Sequence, residues 1–359
     1  MKKRNLLQLL FAFAVFGIVF SSCKKDDVEP EDENVEYHEL GGFYIANEGF
    51  QNGSISFYDS VKDVVVNNVF QKANGMRALG KYVQSLTIVG NKAVICVNGG
   101  NNVVITEAAN MKQVAEITIF SPRYAVEIND SIAFVSSWSN KVFVINVNQG
   151  KVVKEIAVGS SPDRMIKVGD KVFVANSGYA QGADMSKTIS VISIASQTVV
   201  KTIESDFYSP FGFVKVSDDY LWVLFLGKDY YNGMHEPSAL AKIDIAAGTI
   251  VKTVNLYADK HPSRIAIDKD KSNFYIGCGW GFPGIVRMPL NTQVVEEKPF
   301  IEGSFYGLDV NPATGNIIVF TVDYSASNKM FRYKTDGTEI NNYEVGVLGN
   351  GAAFKKRSN

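Results

Sequence analysis

Ser161-Pro162-Asp163-Arg164-Met165-Ile166-Lys167-Val168-Gly169-Asp170-Lys171-Val172-Phe173-Val174-Ala175 carries the fold. A proline opens a short apolar run, Gly169-Asp170 breaks it, and a second run of β-branched and aromatic residues follows. Two strands joined by a two-residue turn are expected, because such turns need positive φ and Gly, Asn and Asp supply it. A third strand follows at Ile189–Ile194 and a fourth at Val199–Ile203. Val, Ile, Phe and Tyr dominate them, as a pleated and largely buried surface requires.

The same unit recurs. Ser121-Pro122-Arg123, Ser161-Pro162-Asp163, Ser209-Pro210-Phe211 and His261-Pro262-Ser263 are separated by 40, 48 and 52 residues, and each proline precedes a strand, a tight turn and a second strand. In the unit before, Ala125–Ile128 and Ser131–Ser136 flank the turn Asn129-Asp130. Four antiparallel strands repeating at about 40–45 residues predict a propeller blade. Complete units begin near Tyr82, Ser121, Ser161, Ser209, His261 and Ser304. Gly42–Phe70 supplies second, third and fourth strands without a first, and an orphan first strand stands at Val347–Lys356. The expected fold is therefore all-β, a seven-bladed β-propeller closed by its C-terminal strand. Pairing the two ends removes open sheet edges. No stretch has convincing helical periodicity.

Val172-Phe173-Val174-Ala175-Asn176-Ser177-Gly178, then Thr188-Ile189-Ser190-Val191-Ile192 and Val199-Val200-Lys201-Thr202-Ile203, resembles the YVTN repeat of YncE-like propellers. The resemblance runs over residues 42–356 and implies the fold. It does not by itself imply an activity, since propellers host many.

The N-terminus reads differently. Lys2, Lys3 and Arg4 precede the apolar run Leu6–Phe20, and Ser21-Ser22 precedes Cys23. That run is shorter than the ~20 residues of a membrane span, and the pattern is a secretory signal peptide over residues 1–22. Val19-Phe20-Ser21-Ser22-Cys23 resembles the lipobox of bacterial lipoproteins, which implies acylation of Cys23. Eight acidic residues lie between Asp26 and Glu39, so residues 23–41 are expected to be an unstructured acidic tether. The Lys24-Lys25-Asp26-Asp27 start resembles the export signal of Bacteroidota surface lipoproteins; a spacer with no address is the alternative. The propeller domain then covers 42–359. The whole chain carries 36 Lys+Arg against 37 Asp+Glu, and without residues 1–39 the balance is 31 against 29. Such a nearly neutral domain offers no general electrostatic ground for a nucleic-acid partner.

In a meander the loops alternate between two faces. First-to-second turns are short, whereas second-to-third loops are long, as at Asn176–Lys187 and Gly227–Ser238. Long loops are where binding residues concentrate. The candidate ligand residues on that face are Asn47, Phe50, Asn98, Trp138, Tyr179, Tyr230, Tyr231, Trp280, Phe282 and Tyr324, with Tyr208 and Tyr306 on the links between blades. Aromatic planes and amides with few charges suit a large neutral ligand. Packing between blades is the competing role for any one of them. Arg77, Arg123, Arg164 and Arg264 stand near the starts of first strands and are candidates for the channel mouth. There they would hold an anion or satisfy buried carbonyls and carboxylates.

Catalytic material is scarce. Three His and three Cys leave no metal motif or disulfide framework. His38 falls in the tether, His261 occupies the repeated Ser-Pro position, and His235 lies on a long loop. Asp268-Lys269-Asp270-Lys271-Ser272-Asn273 lacks the Gly and terminal Glu of a calcium loop. Cys96 and Cys278 are expected as core thiols. No enzyme, metal or resident cofactor is expected.

The Cys23-Lys24-Lys25-Asp26-Asp27 start, the seven units and the aromatic, amide-bearing loops together resemble BtuG-type surface lipoproteins. That resemblance implies a lipid-anchored protein at the cell surface of the outer membrane. It would capture cobalamin and related corrinoids and pass them to a TonB-dependent transporter of the BtuB type. A surface glycan-binding propeller and a cell-wall adhesin are the alternatives.

Overall fold

The computed structural model describes residues 42–354, except 181–184, 229–234, 280, 292–293, 297 and 325–327. The leader 1–22, Cys23 and the tether therefore lie outside the described residues, as do Tyr230, Tyr231 and Trp280. No helix of the described part is long and apolar enough to cross a membrane.

Seven four-stranded antiparallel sheets form the blades. The inner strands Val83–Val89, Pro122–Asn129, Pro162–Val168, Pro210–Lys215, Arg264–Ile267 and Phe305–Val310 open blades 1 to 6. Blade 7 joins the two ends of the domain. Phe43–Asn47, Ser54–Asp59 and Val64–Val66 come from the N-terminal side, and Gly349–Phe354 supplies the inner strand. The closing register pairs Phe43 with Phe354, Tyr44 with Ala353 and Ile45 with Ala352. The seven-bladed, C-terminally closed propeller expected from the repeat is the observed fold.

Apolar packing explains the strand composition. Among the described residues there are seven hydrophobic clusters, and each lies between two neighbouring blades. In blade 3, Val172 and Val174 pack toward blade 2 while Phe173 packs toward blade 4. Because both faces of each second strand are buried, those strands read as continuous apolar runs rather than alternating ones. Outermost strands such as Lys151–Ala157 alternate exposed and covered residues, as one-sided burial demands. Cys96 and Cys278 are buried in these clusters, and burial pushes both thiols up to about 12.

Two polar devices lock the seam where the ends meet. Asp63 of blade 7 accepts hydrogen bonds from Tyr343 Oη at 2.5 Å, Tyr58 Oη at 2.6 Å, Asn341 Nδ2 at 3.0 Å and Arg332 Nη1 at 3.1 Å. The donors from Tyr343 and Tyr58 hold its carboxyl below the usual range. Asn67 Nδ2 adds a bond to Glu344 O at 3.1 Å. One element was not anticipated. The short helix Val69–Ala73 buries Val69, Phe70 and Gln71 on the link between blades 7 and 1. At five residues it is too short to show a helical period.

Closure leaves no room at Gly349. A Cβ there would sit 2.5 Å from Cδ1 of the fully buried Phe320. Gly349→Ala should therefore cost roughly 1–3 kcal/mol by overpacking. Urea unfolding of wild type and variant measures it, and an unchanged midpoint would contradict this packing.

Candidate functional site: the channel and its rim

The inner strands do not run straight into the channel. In blades 1, 2, 3, 4, 6 and 7 their register with the second strand slips near the long-loop end. The slips lie between Val83 and Ser85, Pro122 and Ala125, Pro162 and Met165, Pro210 and Gly212, Phe305 and Gly307, and around Asn350. A bulge inserts extra residues and re-aims their side chains. The inserted residues are Gln84, Arg123 and Tyr124, Asp163 and Arg164, Phe211, Tyr306 and Asn350. They form the polar collar of the channel.

One network connects most of that collar. Arg123 Nε donates to Asp163 Oδ2 at 3.0 Å, and its Nη1 donates to Gln84 Oε1. Gln84 Nε2 reaches Tyr124 Oη at 3.0 Å. Asn350 Nδ2 donates to Gln84 O at 2.8 Å and to Glu48 Oε2 at 3.3 Å, and Tyr306 Oη donates to the same Glu48 oxygen. Arg264 Nη2 crosses to Asn350 Oδ1 at 2.5 Å. Ring faces support the cations: Arg123 lies 4.2 Å over Trp138, and Arg164 lies 4.5 Å over Tyr124 and 5.2 Å over Phe211. Below the collar is a cavity of about 290 Å³ lined by residues of all seven inner strands.

Above the collar stands the rim. Phe50, Tyr179 and Tyr324 are its exposed aromatics, at 36%, 46% and 52% exposure. Phe50 touches Tyr324 at a centroid distance of 5.7 Å and Tyr82 at 6.4 Å, while Tyr179 meets Phe211 at 6.4 Å. Phe50 and Tyr324 belong to blades 7 and 6, and Tyr179 belongs to blade 3 across the ring. Trp138 and Tyr208 are half-buried between rim and collar, with Tyr208 held between Lys187 and Lys228 at 4.0 Å from each, while Tyr306 is half-buried in the collar itself.

Other sequence candidates lie elsewhere. Arg77 is exposed on the outside of the ring, paired with Glu116 of the outermost strand of blade 1 at 2.5 Å. The helix and loop over residues 69–80 carry it outward, so it does not line the channel mouth. Phe282 is 4% exposed and packs edge-on against Tyr257 within the core.

The amides are structural as well. Asn47 is fully buried and donates to Ser56 Oγ at 2.8 Å and Ser54 Oγ at 3.2 Å. Asn98 Nδ2 reaches Pro122 O at 3.4 Å. Asn101 and Asn140 accept from the N–H of Ser121 and Ser161 at 2.9 Å each. Asn98, Asn101 and Asn140 thereby pin the start of the next blade's inner strand. His261 Nδ1 contacts Leu226 O at 2.7 Å, and its ring stacks on His235 at 5.8 Å. Asp268 closes its own turn by accepting from Ser272 and Asn273.

A family model described as "Domain of unknown function (DUF5074)" matches residues 41–348. The chain belongs to the DUF5074 family. Among solved structures it is similar to Kuenenia stuttgartiensis hydrazine synthase, with 16% identity, a TM-score of 0.58, and coverage of 73% of this chain and 86% of that one. At that identity the likeness shows the fold alone. No curated protein matches the sequence.

Gln84, Asp309 and Asn350 are collar or cavity residues of this DUF5074 propeller that composition and loop position do not single out. Their signal is the repeat itself: Gln84, Arg123, Asp163 and Asn350 share one register position within it. Asp309 lines the cavity and accepts from Ala352 N at 2.8 Å. Burial pushes its carboxyl up to about 6, against the pull of that N–H and of Arg164 and Arg264. An unfolded chain loses this proton near 3.8, so the stabilisation is complete below that pH and is lost as pH rises through about 6. Asp309→Asn removes the titration. Relative to wild type, the variant should gain about 2–3 kcal/mol between about pH 4 and about pH 8. Denaturant melts at the two pH values test this; a pH-independent difference would contradict it.

Proposed function

We propose that this propeller is a non-catalytic capture protein whose long-loop face takes up a large, planar, mostly neutral small molecule, a corrinoid of the cobalamin class. The observation that carries the reading is the rim. Exposed aromatics stand on opposite sides of one opening, Phe50 and Tyr324 facing Tyr179, above a polar collar. Flat apolar surfaces flanking a polar centre suit a macrocycle whose body is apolar and whose edge carries amides. The half-buried collar residue Tyr124 is the polar group that such an edge would meet. Support also comes from the sequence: the leader and Cys23 resemble a lipoprotein signal, and the acidic tether resembles a surface-export address. In this reading the protein is lipid-anchored at the outer-membrane surface and delivers its ligand to a TonB-dependent transporter.

Every strand of the ring lies within Phe43–Phe354, so a chain lacking residues 1–22 carries the entire fold. Calorimetric titration of that chain with cyanocobalamin and with cobinamide tests the proposal. Saturable binding of both is expected, weakened about tenfold, or ~1.4 kcal/mol, by Tyr324→Ala or Tyr179→Ala. Absence of heat and of thermal shift with either corrinoid, alongside binding of soluble oligosaccharides, would replace it with glycan capture.

A further inference from the structure

The cavity beneath the collar holds two cations whose donors the protein does not fill. Arg264 is 8% exposed; it spends Nη1 on Ser263 O at 3.0 Å and Nη2 on Asn350, and its Nε is buried without an acceptor. Arg164 rests on the faces of Tyr124 and Phe211, and its Nη1 is likewise buried without an acceptor. Both residues line the cavity of about 290 Å³. Among the described residues neither is bonded to a carboxylate. Of the acids nearby, Asp163 gives Oδ2 to Arg123 while its Oδ1 is buried without a donor, Glu48 serves Tyr306 and Asn350, and Asp309 accepts from Ala352 N in the same cavity wall.

Two guanidiniums sharing one cavity oppose each other. Burial, and then the charge of Arg264, lower the proton affinity of Arg164, whereas that of Arg264 is raised against its burial, by Tyr124 first and with Asp163 among the contributors. Buried donors without acceptors are costly, and buried like charges more so. A ligand that carries negative charge on two or more oxygens relieves both costs at once. Guanidinium forks match carboxylate and phosphate geometry, and hydrogen bonds between ionised partners are the stronger kind.

We propose that the channel cavity is a binding site for a compact oxyanion, a carboxylate or phosphate group bridging Arg164 and Arg264. The anion lies against the guanidinium groups of Arg164 and Arg264, with Tyr124, Ser263 and Asp309 beside it in the cavity wall. The site lies below the rim aromatics and shares Tyr124 with the collar. A free inorganic anion and the acidic group of an organic metabolite share this chemistry, so inorganic phosphate and succinate serve as the two probes.

The chain lacking residues 1–22 would be titrated with each probe in a HEPES buffer, with sodium chloride of equal ionic strength as the reference. One-to-one binding and a rise in melting temperature are expected with at least one probe, by the linkage of ligand to the folded state. Phosphate alone assigns a phosphate site, succinate alone a carboxylate site, and both a general oxyanion site. Arg164→Gln should weaken binding about tenfold or more, because one charge-assisted contact is lost. The hydrogen bonds that tie the collar together run through Arg123, Gln84, Asn350 and Arg264 rather than through that side chain, so the variant should fold. Arg164→Lys keeps the charge without the fork and should bind with intermediate affinity, which provides the reading if the glutamine variant does not fold. Either a shift no larger than that with chloride or anion binding unchanged in the Arg164 variants would overturn the proposal.

Discussion

Seven inner strands converging on one axis is the constraint on which the rest of the molecule depends. Where adjacent inner strands approach, even a methyl group meets the neighbouring strand: a Cβ at Gly307 would lie 2.7 Å from Gly349 O, and one at Gly212 would lie 3.0 Å from Ile265 Cγ2. The crowding also dictates closure. The ring is complete only when Gly349–Phe354 slots between blades 6 and 1, and it can do so only with small residues where it passes Phe320 and Gly307. Apolar clusters between blades then supply the stabilisation, because each blade buries both faces only when it has both neighbours.

The same convergence explains why the collar is polar. At a bulge the inner strand leaves its ladder, so backbone and side-chain groups turn toward the axis and need partners there. Residues one place after the proline position meet across blades, which brings Arg123 of blade 2 to Asp163 of blade 3, while Arg264 of blade 5, one place further on, reaches Asn350 of blade 7. Buried ion pairs of this kind are weak contributors to net stability, since desolvation offsets the attraction. Their effect is to fix side-chain positions. A collar tied into one network has few alternative arrangements, and that network leaves donors on Arg164 and Arg264 unfilled.

The fold was legible because its signals are local and repeated. Pro122, Pro162 and Pro210 each open an inner strand, and Gly169-Asp170 or Asn129-Asp130 turns it back. Arg123, Arg164 and Arg264 were legible for the same reason, their place being fixed by the proline before them. Arg77 was not, because a buried helical turn at Val69–Ala73 intervenes and swings the chain after it toward the outside. The amides were legible as loop residues but not in their roles. An asparagine that pins a neighbouring strand and one that greets a ligand have the same composition and the same position along the chain. Phe282 shows the converse: loop aromatics divide between core and rim according to contacts from other blades, and no spacing within the loop encodes those contacts.

The pinning asparagines bear on binding all the same. Asn98 and Asn101 of blade 1 and Asn140 of blade 2 anchor the links into blades 2 and 3, so the face is held there by hydrogen bonds to the next blade. Binding to a surface already held in place loses little conformational entropy, and more of the contact energy appears as affinity. Phe50 and Tyr324 gain further restraint by packing on each other, and Phe50 by its edge contact with Tyr82. The face therefore combines rim aromatics with a floor lined by Arg164, Arg264 and Asp309. On the proposed readings such a bowl would discriminate by shape and charge at once, with a flat apolar body at the height of Phe50 and Tyr179 and an anionic group at the depth of Arg164. A molecule carrying both would engage two levels of one rigid scaffold, whereas one carrying only the first would stop at the rim.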